Sequence, residues 1–232
     1  MKQGKKKMDA KATVRLLKTL SKPENLDGMS RFGINTSNAL GITVTELRKV
    51  AKTIGKDHEL AMGLWDTKIH EARMLASFID EPVLVTEQQM EAWAKGFDSW
   101  DLCDECCGDL FDKTEFAYKK AAEWSERREE YVKRAGFALM AALSVHDKRA
   151  ADSKLLQFLP IIERESDDER NFVRKAVNWA LRNIGKRNLN LNKAAIATAK
   201  RIKERDTKSA RWIASDALRE LTGEGVTRRL NG

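Results

Sequence analysis

Thr43-Val44-Thr45-Glu46-Leu47-Arg48-Lys49-Val50-Ala51-Lys52-Thr53-Ile54-Gly55 reads as one complete helix with both of its ends. Thr43 and Glu46 have capping-box spacing, in which a hydroxyl accepts from the third backbone N–H and the glutamate reaches back to the first. Leu47, Val50, Ala51 and Ile54 recur at helical period, and Gly55 is the residue that most readily ends a helix in a left-handed turn. The pattern recurs on both sides. Thr86 opens a helix carrying Met90, Trp93 and Ala94 that stops by Gly96, and Asp57–Trp65 and Ile69–Ile79 form a pair between these two. Helices are further expected near 11–20, 97–110, 115–124, 128–143, 152–163, 168–184, 191–204 and 207–221. No segment alternates with the period of a strand.

Tight polar connections such as Asp80-Glu81-Pro82, Val145-His146-Asp147 and Glu165-Ser166-Asp167 join these helices in pairs. Each pair begins roughly 35 to 45 residues after the one before, the spacing of a stacked two-helix repeat. The expected fold is therefore all-α, an α-α superhelix whose concave face suits an elongated partner; a compact helical bundle is the alternative. Residues 1–9 are expected to be a basic flexible tail and residues 10–232 a single helical-repeat domain.

The 232 residues carry a net charge of +8, and 42% are hydrophobic. That is globular rather than disordered, and its basic balance favours polyanions, with plain solubility as the bland alternative. Charge is uneven. The stretch 81–115 is acidic, whereas the last third gathers Arg170, Arg174, Lys175, Arg182, Lys186, Arg187 and further cations. Basic residues framing Trp179 suit a phosphate-binding stripe. No apolar run reaches the ~20 residues of a membrane span, and no signal-peptide-like stretch follows Met1. Cys103, Cys106 and Cys107 lack the second ligand pair of a zinc site and are expected to be buried packing thiols. A reducing, cytoplasmic compartment follows as the expectation. Trp65, Trp93, Trp124 and Trp212 are expected in the core between repeats, and His70 and Glu71 are expected to be structural.

Trp100-Asp101-Leu102-Cys103-Asp104 places an indole and a carboxylate four residues apart on one helix face. A core tryptophan beside a surface aspartate is one reading; a face that binds something cationic is the other. Asp101 could act with them, or serve as a helix cap or salt-bridge partner. Arg134 stands at the edge of a helix that is apolar through Phe137, Leu139, Met140 and Leu143, where a cation needs a partner or a phosphate.

Taken in order, four stretches resemble the AlkD-like DNA alkylation repair glycosylases, a family built of HEAT-like repeats. They are Leu64–Arg73, the Trp-Asp-x-x-Asp motif at Trp100–Asp104, Arg134-Ala135-Gly136-Phe137-Ala138, and Lys175-Ala176-Val177-Asn178-Trp179-Ala180-Leu181-Arg182. The resemblance runs from about Ile42 to Leu221. Many relatives carry a second tryptophan just before the motif, where this chain has Ser99. The resemblance implies hydrolysis of the N-glycosidic bond of N3- or N7-alkylated purines in duplex DNA by a monomer without cofactor or metal. Such a base is already cationic and leaves without a general acid. Asp104 would stabilise an oxocarbenium-like sugar and orient water. A carboxylate ~4 Å from that charge, at an effective dielectric near 20, is worth up to about 4 kcal/mol, or about three decades of rate. Trp100 and Trp179 would hold the lesion's deoxyribose, and Arg134, Arg174, Lys175 and Arg182 would contact phosphates. A non-catalytic nucleic-acid-binding repeat protein and a protein-interaction scaffold are the alternatives.

Overall fold

Six of the helices start where a short polar side chain stands at the N-cap. Asp9, Thr43, Asp57, Thr86, Asn188 and Thr207 each accept from a backbone N–H three residues on. Each satisfies a donor that the first helical turn leaves without a partner. The capping box of Thr43 and Glu46 is complete, and Gly55 ends its helix with φ 87°. Lys22 and then Thr43 hydrogen-bond the Glu46 carboxylate and hold it down at about 2.

The computed structural model describes residues 8–231, so the tail expected at 1–9 lies mostly outside the described residues. Those described residues form helices and turns without a strand. They pack as two compact units, one up to Thr114 and one from Glu115 onward. The first holds α1 (Ala10–Thr19), α2 (Leu26–Arg31), α3 (Val44–Ile54), α4 (His58–Trp65), α5 (His70–Ile79), α6 (Glu87–Lys95) and α7 (Trp100–Asp109). The second holds α8 (Ala117–Ser125), α9 (Glu130–His146), α10 (Asp152–Leu156), α11 (Phe158–Arg164), α12 (Asn171–Gly185), α13 (Leu189–Lys203), α14 (Lys208–Leu221) and α15 (Glu224–Asn231).

In the first unit, α5 is the central helix, packed on α3, α4 and α7. Leu47, Leu64, Leu75 and Ile79 are fully buried there. Trp65 and Trp93 stack with ring centroids 4.1 Å apart and planes within 2°, and Phe97 meets Trp65 edge-on. One charged group sits deep in this unit for a structural reason. The buried Glu71 carboxylate accepts the backbone N–H groups of Leu40, Gly41 and Ile42, pinning that loop to α5. Gly41 is obligatory at the bend. Its φ is 78°, and a Cβ there would lie 2.1 Å from the Lys22 carbonyl oxygen.

In the second unit, helices pair as α8/α9, α10–α11/α12 and α13/α14, and α12 packs against both α9 and α14. Six side-chain contacts between successive pairs share one register. Glu126–Arg164, Arg134–Phe172, Glu163–Arg201, Asp167–Arg205, Asn178–Asp216 and Arg182–Glu220 all join residues 38 apart. A constant offset of this kind is the signature of a structural repeat. In the first unit the Leu40–Glu71 and His70–Asp101 contacts both span 31 residues, so the pairs there are shorter.

Three expectations change. The helix expected over 152–163 is two helices, broken at Gln157. Pro160 has no N–H for the Leu156 carbonyl, and its ring crowds that oxygen. The helix expected from Phe97 begins only at Trp100, because Ser99 is extended at φ −156°, ψ 159°. Trp212 is not core: it is 37% exposed, although Trp65, Trp93 and Trp124 are buried.

Candidate functional site

The late start of α7 is what sets the Trp100–Asp104 face. Buried Arg73 on α5 donates through Nη1 to the Gly96 carbonyl at 2.8 Å and through Nη2 to both Asp98 carboxylate oxygens at 2.9 Å. Those bonds hold residues 96–98 outside the helix. Ser99, fully buried, donates its hydroxyl to Asp101 Oδ1 at 2.6 Å, and His70 Nε2 lies 2.9 Å from Asp101 Oδ2. Burial alone would favour the neutral forms. The hydrogen bond and charge of Asp101 nonetheless raise His70 above its ordinary value. The Asp101 carboxyl is likewise lowered against burial, by the hydrogen bond and charge of His70 and by the Ser99 hydroxyl. Of the readings open for Asp101, the structure realises the buried ion pair.

Trp100 and Asp104 therefore occupy the first two turns of a helix whose start is fixed, and both are half-buried. Trp100 Nε1 donates to the Phe32 carbonyl at 3.0 Å, anchoring the indole to the end of α2. The other side of α7 is apolar. Leu102, Cys103, Cys106 and Cys107 are fully buried, and burial pushes the thiols of Cys106 and Cys107 well up. The cysteines form no disulfide, and no group of three potential metal ligands occurs among the described residues.

One turn beyond Asp104 lies a cluster the sequence reading missed. Arg48 on α3 bridges Glu105 at 2.7 Å and Asp109 at 2.7 and 3.0 Å, with its guanidinium 4.5 Å from the centroid of the Phe78 ring. Burial, then the hydrogen bond and charge of Asp109, push Glu105 up to about 8, with the charge of Asp104 adding and Arg48 opposing. Asp109 is lowered against burial by hydrogen bonds from Arg48 and Glu105. The pair thus titrates as a unit that keeps a proton to a higher pH than a lone carboxyl would. The only sequence signal for it was the Glu105/Asp109 spacing of four.

In the second unit, Arg134 on α9 is 6% exposed and donates Nη1 to the Phe172 carbonyl at 2.6 Å. Two residues on, Gly136 lets α9 touch the backbone of α8. A Cβ there would meet the Ser125 nitrogen at 2.5 Å. The basic residues of α12 differ sharply in what holds them. Lys175 is exposed and Trp179, one turn on, is half-buried. Arg174 lies over the Trp212 ring at 5.1 Å. Arg182 is bonded to Glu220 and lies 3.5 Å from Asp216, while Lys186 reaches Glu220 at 2.8 Å. The structure thus joins Trp100 with Asp104 on α7, and Arg174, Lys175, Trp179 and Arg182 on α12, to which Arg134 is bonded.

Comparison with known proteins gives the family and the fold. The family described as DNA alkylation repair enzyme matches residues 13–221. No curated protein matches the chain. A solved structure matches with a TM-score of 0.77 at 21% identity, over 92% of this chain and 96% of that one. It comes from a family of proteins related to the HEAT-like repeat DNA glycosylases with affinity for branched DNA structures. The shared fold is that of HEAT-like helical repeats.

Proposed function

The chain belongs to the DNA alkylation repair enzyme family, and from that premise we propose that it is a monofunctional DNA glycosylase releasing cationic N3- or N7-alkylated purines from duplex DNA. The bond from C1′ to the base nitrogen breaks, and its electron pair leaves with the already cationic base, so no acid is required. Positive charge develops on the sugar ring. The Asp104 carboxylate stabilises that charge and orients the water whose oxygen bonds to C1′, its proton passing to bulk solvent. Trp100 holds the deoxyribose through its π-system. In the second unit, Arg134, Arg174, Lys175 and Trp179 contact the DNA backbone. The protein works as a monomer without cofactor, in the cytoplasm.

The observation that carries this reading is the fixed first turn of α7. Ser99 and His70 engage Asp101, and Phe32 engages the Trp100 N–H. The turn that bears Asp104 is thereby pre-positioned, as electrostatic catalysis demands. A second reading is a DNA-binding protein without catalysis. It is favoured by the solved relative from a family with affinity for branched DNA.

Release of 7-methylguanine from methylated duplex DNA, measured beside binding to a four-way junction, separates the two. The glycosylase reading expects free base to accumulate with enzyme and time. Tight junction binding with no base released would leave the second reading standing. Absence of DNA affinity at low salt would point to a protein scaffold.

A further inference from the structure

A recess of about 700 Å³ opens in the second unit where α9 ends and α12 turns into α13. Lys148, Lys186, Arg187 and Arg229 line it, with Asp152 as the one carboxylate. The cations here are held differently from those farther back on α12. Arg187 donates to three backbone carbonyls, Ser144 and Asp147 at 2.9 and 2.7 Å and Ala150 at 3.2 Å. Arg229 donates to the Lys186 carbonyl at 2.7 Å. A carbonyl orients a guanidinium without neutralising it, whereas a carboxylate does both. Asp152 accepts from Asn188 at 2.8 Å and Asn190 at 2.7 Å, so both its oxygens are taken by neutral amides. Among these wall residues Lys186 is ion-paired with the Glu220 carboxylate, and Arg187 acts on Asp152 through charge without an ion pair. Several oriented positive charges therefore converge on a concavity as large as a ligand pocket.

We propose that this recess seats phosphodiester groups of a DNA strand, as a contact separate from the Trp179 stripe of α12. The proposal rests on the DNA-binding part of the function above and does not depend on catalysis. Chemistry selects the ligand class. Fixed guanidinium forks and lysines suit phosphate oxygens. A recess of this volume is too large for a lone ion and accepts consecutive groups of a chain. The positive end of the α13 macrodipole at Leu189 adds to the same potential.

The test is the salt dependence of binding of the full chain to an undamaged fluorescent duplex. Lys148→Ala, in the exposed turn after α9, and the double variant Lys148→Ala with Arg229→Ala are compared with the wild type. Each cation lost from a phosphate lowers the slope of log K against log salt by about 0.9, and affinity by roughly fivefold at ~0.15 M. Lys148→Arg is expected to restore the slope. Unchanged slopes in both variants overturn the proposal. So does competition by millimolar inorganic phosphate that abolishes duplex binding, which would mark the recess as a small-anion site. The function above fails separately: wild-type protein that releases no alkylated base, yet shows these slope losses, sinks the glycosylase reading and leaves the recess standing.

Discussion

His70 on α5 and Asp101 on α7 meet at 2.9 Å, imidazole Nε2 to carboxylate Oδ2, inside the first unit. The contact ties the start of α7 to the central helix of that unit, one turn ahead of Asp104. Each partner favours the charged form of the other, with His70 raised and Asp101 lowered.

Asp101→Asn is expected to cost about 3 kcal/mol, because it leaves a buried imidazole without its counter-charge. The raised histidine stabilises fully below its ordinary 6.5 and loses this as pH rises through its folded value. The lowered aspartate stabilises above its ordinary 3.8 and loses this as pH falls through its folded value. The difference in denaturation midpoint between wild type and variant should therefore be largest between about pH 4 and 6.5. An equal difference from pH 4 to 9 would mean the pair is not ionised.

Glu105 adds a slope of the same sign as His70's. Its carboxyl sits near 8 in the folded chain, above the ordinary 4.5, so the native state binds the extra proton. Stability must fall as pH rises from 4.5 through 8. Glu105→Gln, which keeps the shape and cannot ionise, should flatten that fall and gain on the order of 1 kcal/mol at pH 8, the full linkage being reduced by Arg48 and solvent. Urea titrations at pH 5 and pH 8 check it.

Asp104→Asn keeps the volume and removes the charge. Single-turnover release of 7-methylguanine should fall by about three decades. Affinity for alkylated duplex should hold within a few-fold. Activity equal to the wild type would remove Asp104 from its role.

Arg134 is asked to do two things, and its variants separate them. Loss of the bond to Phe172 in Arg134→Ala is expected to cost ~1–3 kcal/mol of stability. Loss of a phosphate contact should lower the salt slope of duplex binding by about 0.9. Arg134→Lys should keep most of the slope while losing the fork geometry. A destabilised Ala variant with an unchanged slope would leave Arg134 a structural residue alone.

Much of the fold was legible in the sequence because its determinants are local. Thr43, Asp57, Thr86 and Thr207 cap helices through atoms three residues away, and such patterns survive without knowledge of packing. The break at Gln157 was written in Pro160, but helical periodicity ran through it. Short α2 and α15 offered too few turns to show a period. What stayed hidden was long-range. Helical spacing does not tell that Trp212 is exposed while Trp124 is buried. Nor does a run of cations tell that Arg182 faces Glu220 whereas Lys175 faces solvent. The Trp100/Asp104 face was visible from its spacing. The devices that fix it, Arg73 on residues 96–98 and His70 on Asp101, lie 23 to 31 residues back in the chain.

The 38-residue register of the second unit makes chain length a coded quantity there. Glu163 and Asp167 take Arg201 and Arg205 as partners, and Asn178 and Arg182 take Asp216 and Glu220, at one common offset. Duplicating one whole repeat, 38 residues long, would hand each of these side chains a partner of the same type. A duplication shorter or longer by one residue would rotate the new helix by about 100° and strand them all. Growth of this unit by tandem copying is thus quantised, and single-residue insertions are confined to its turns.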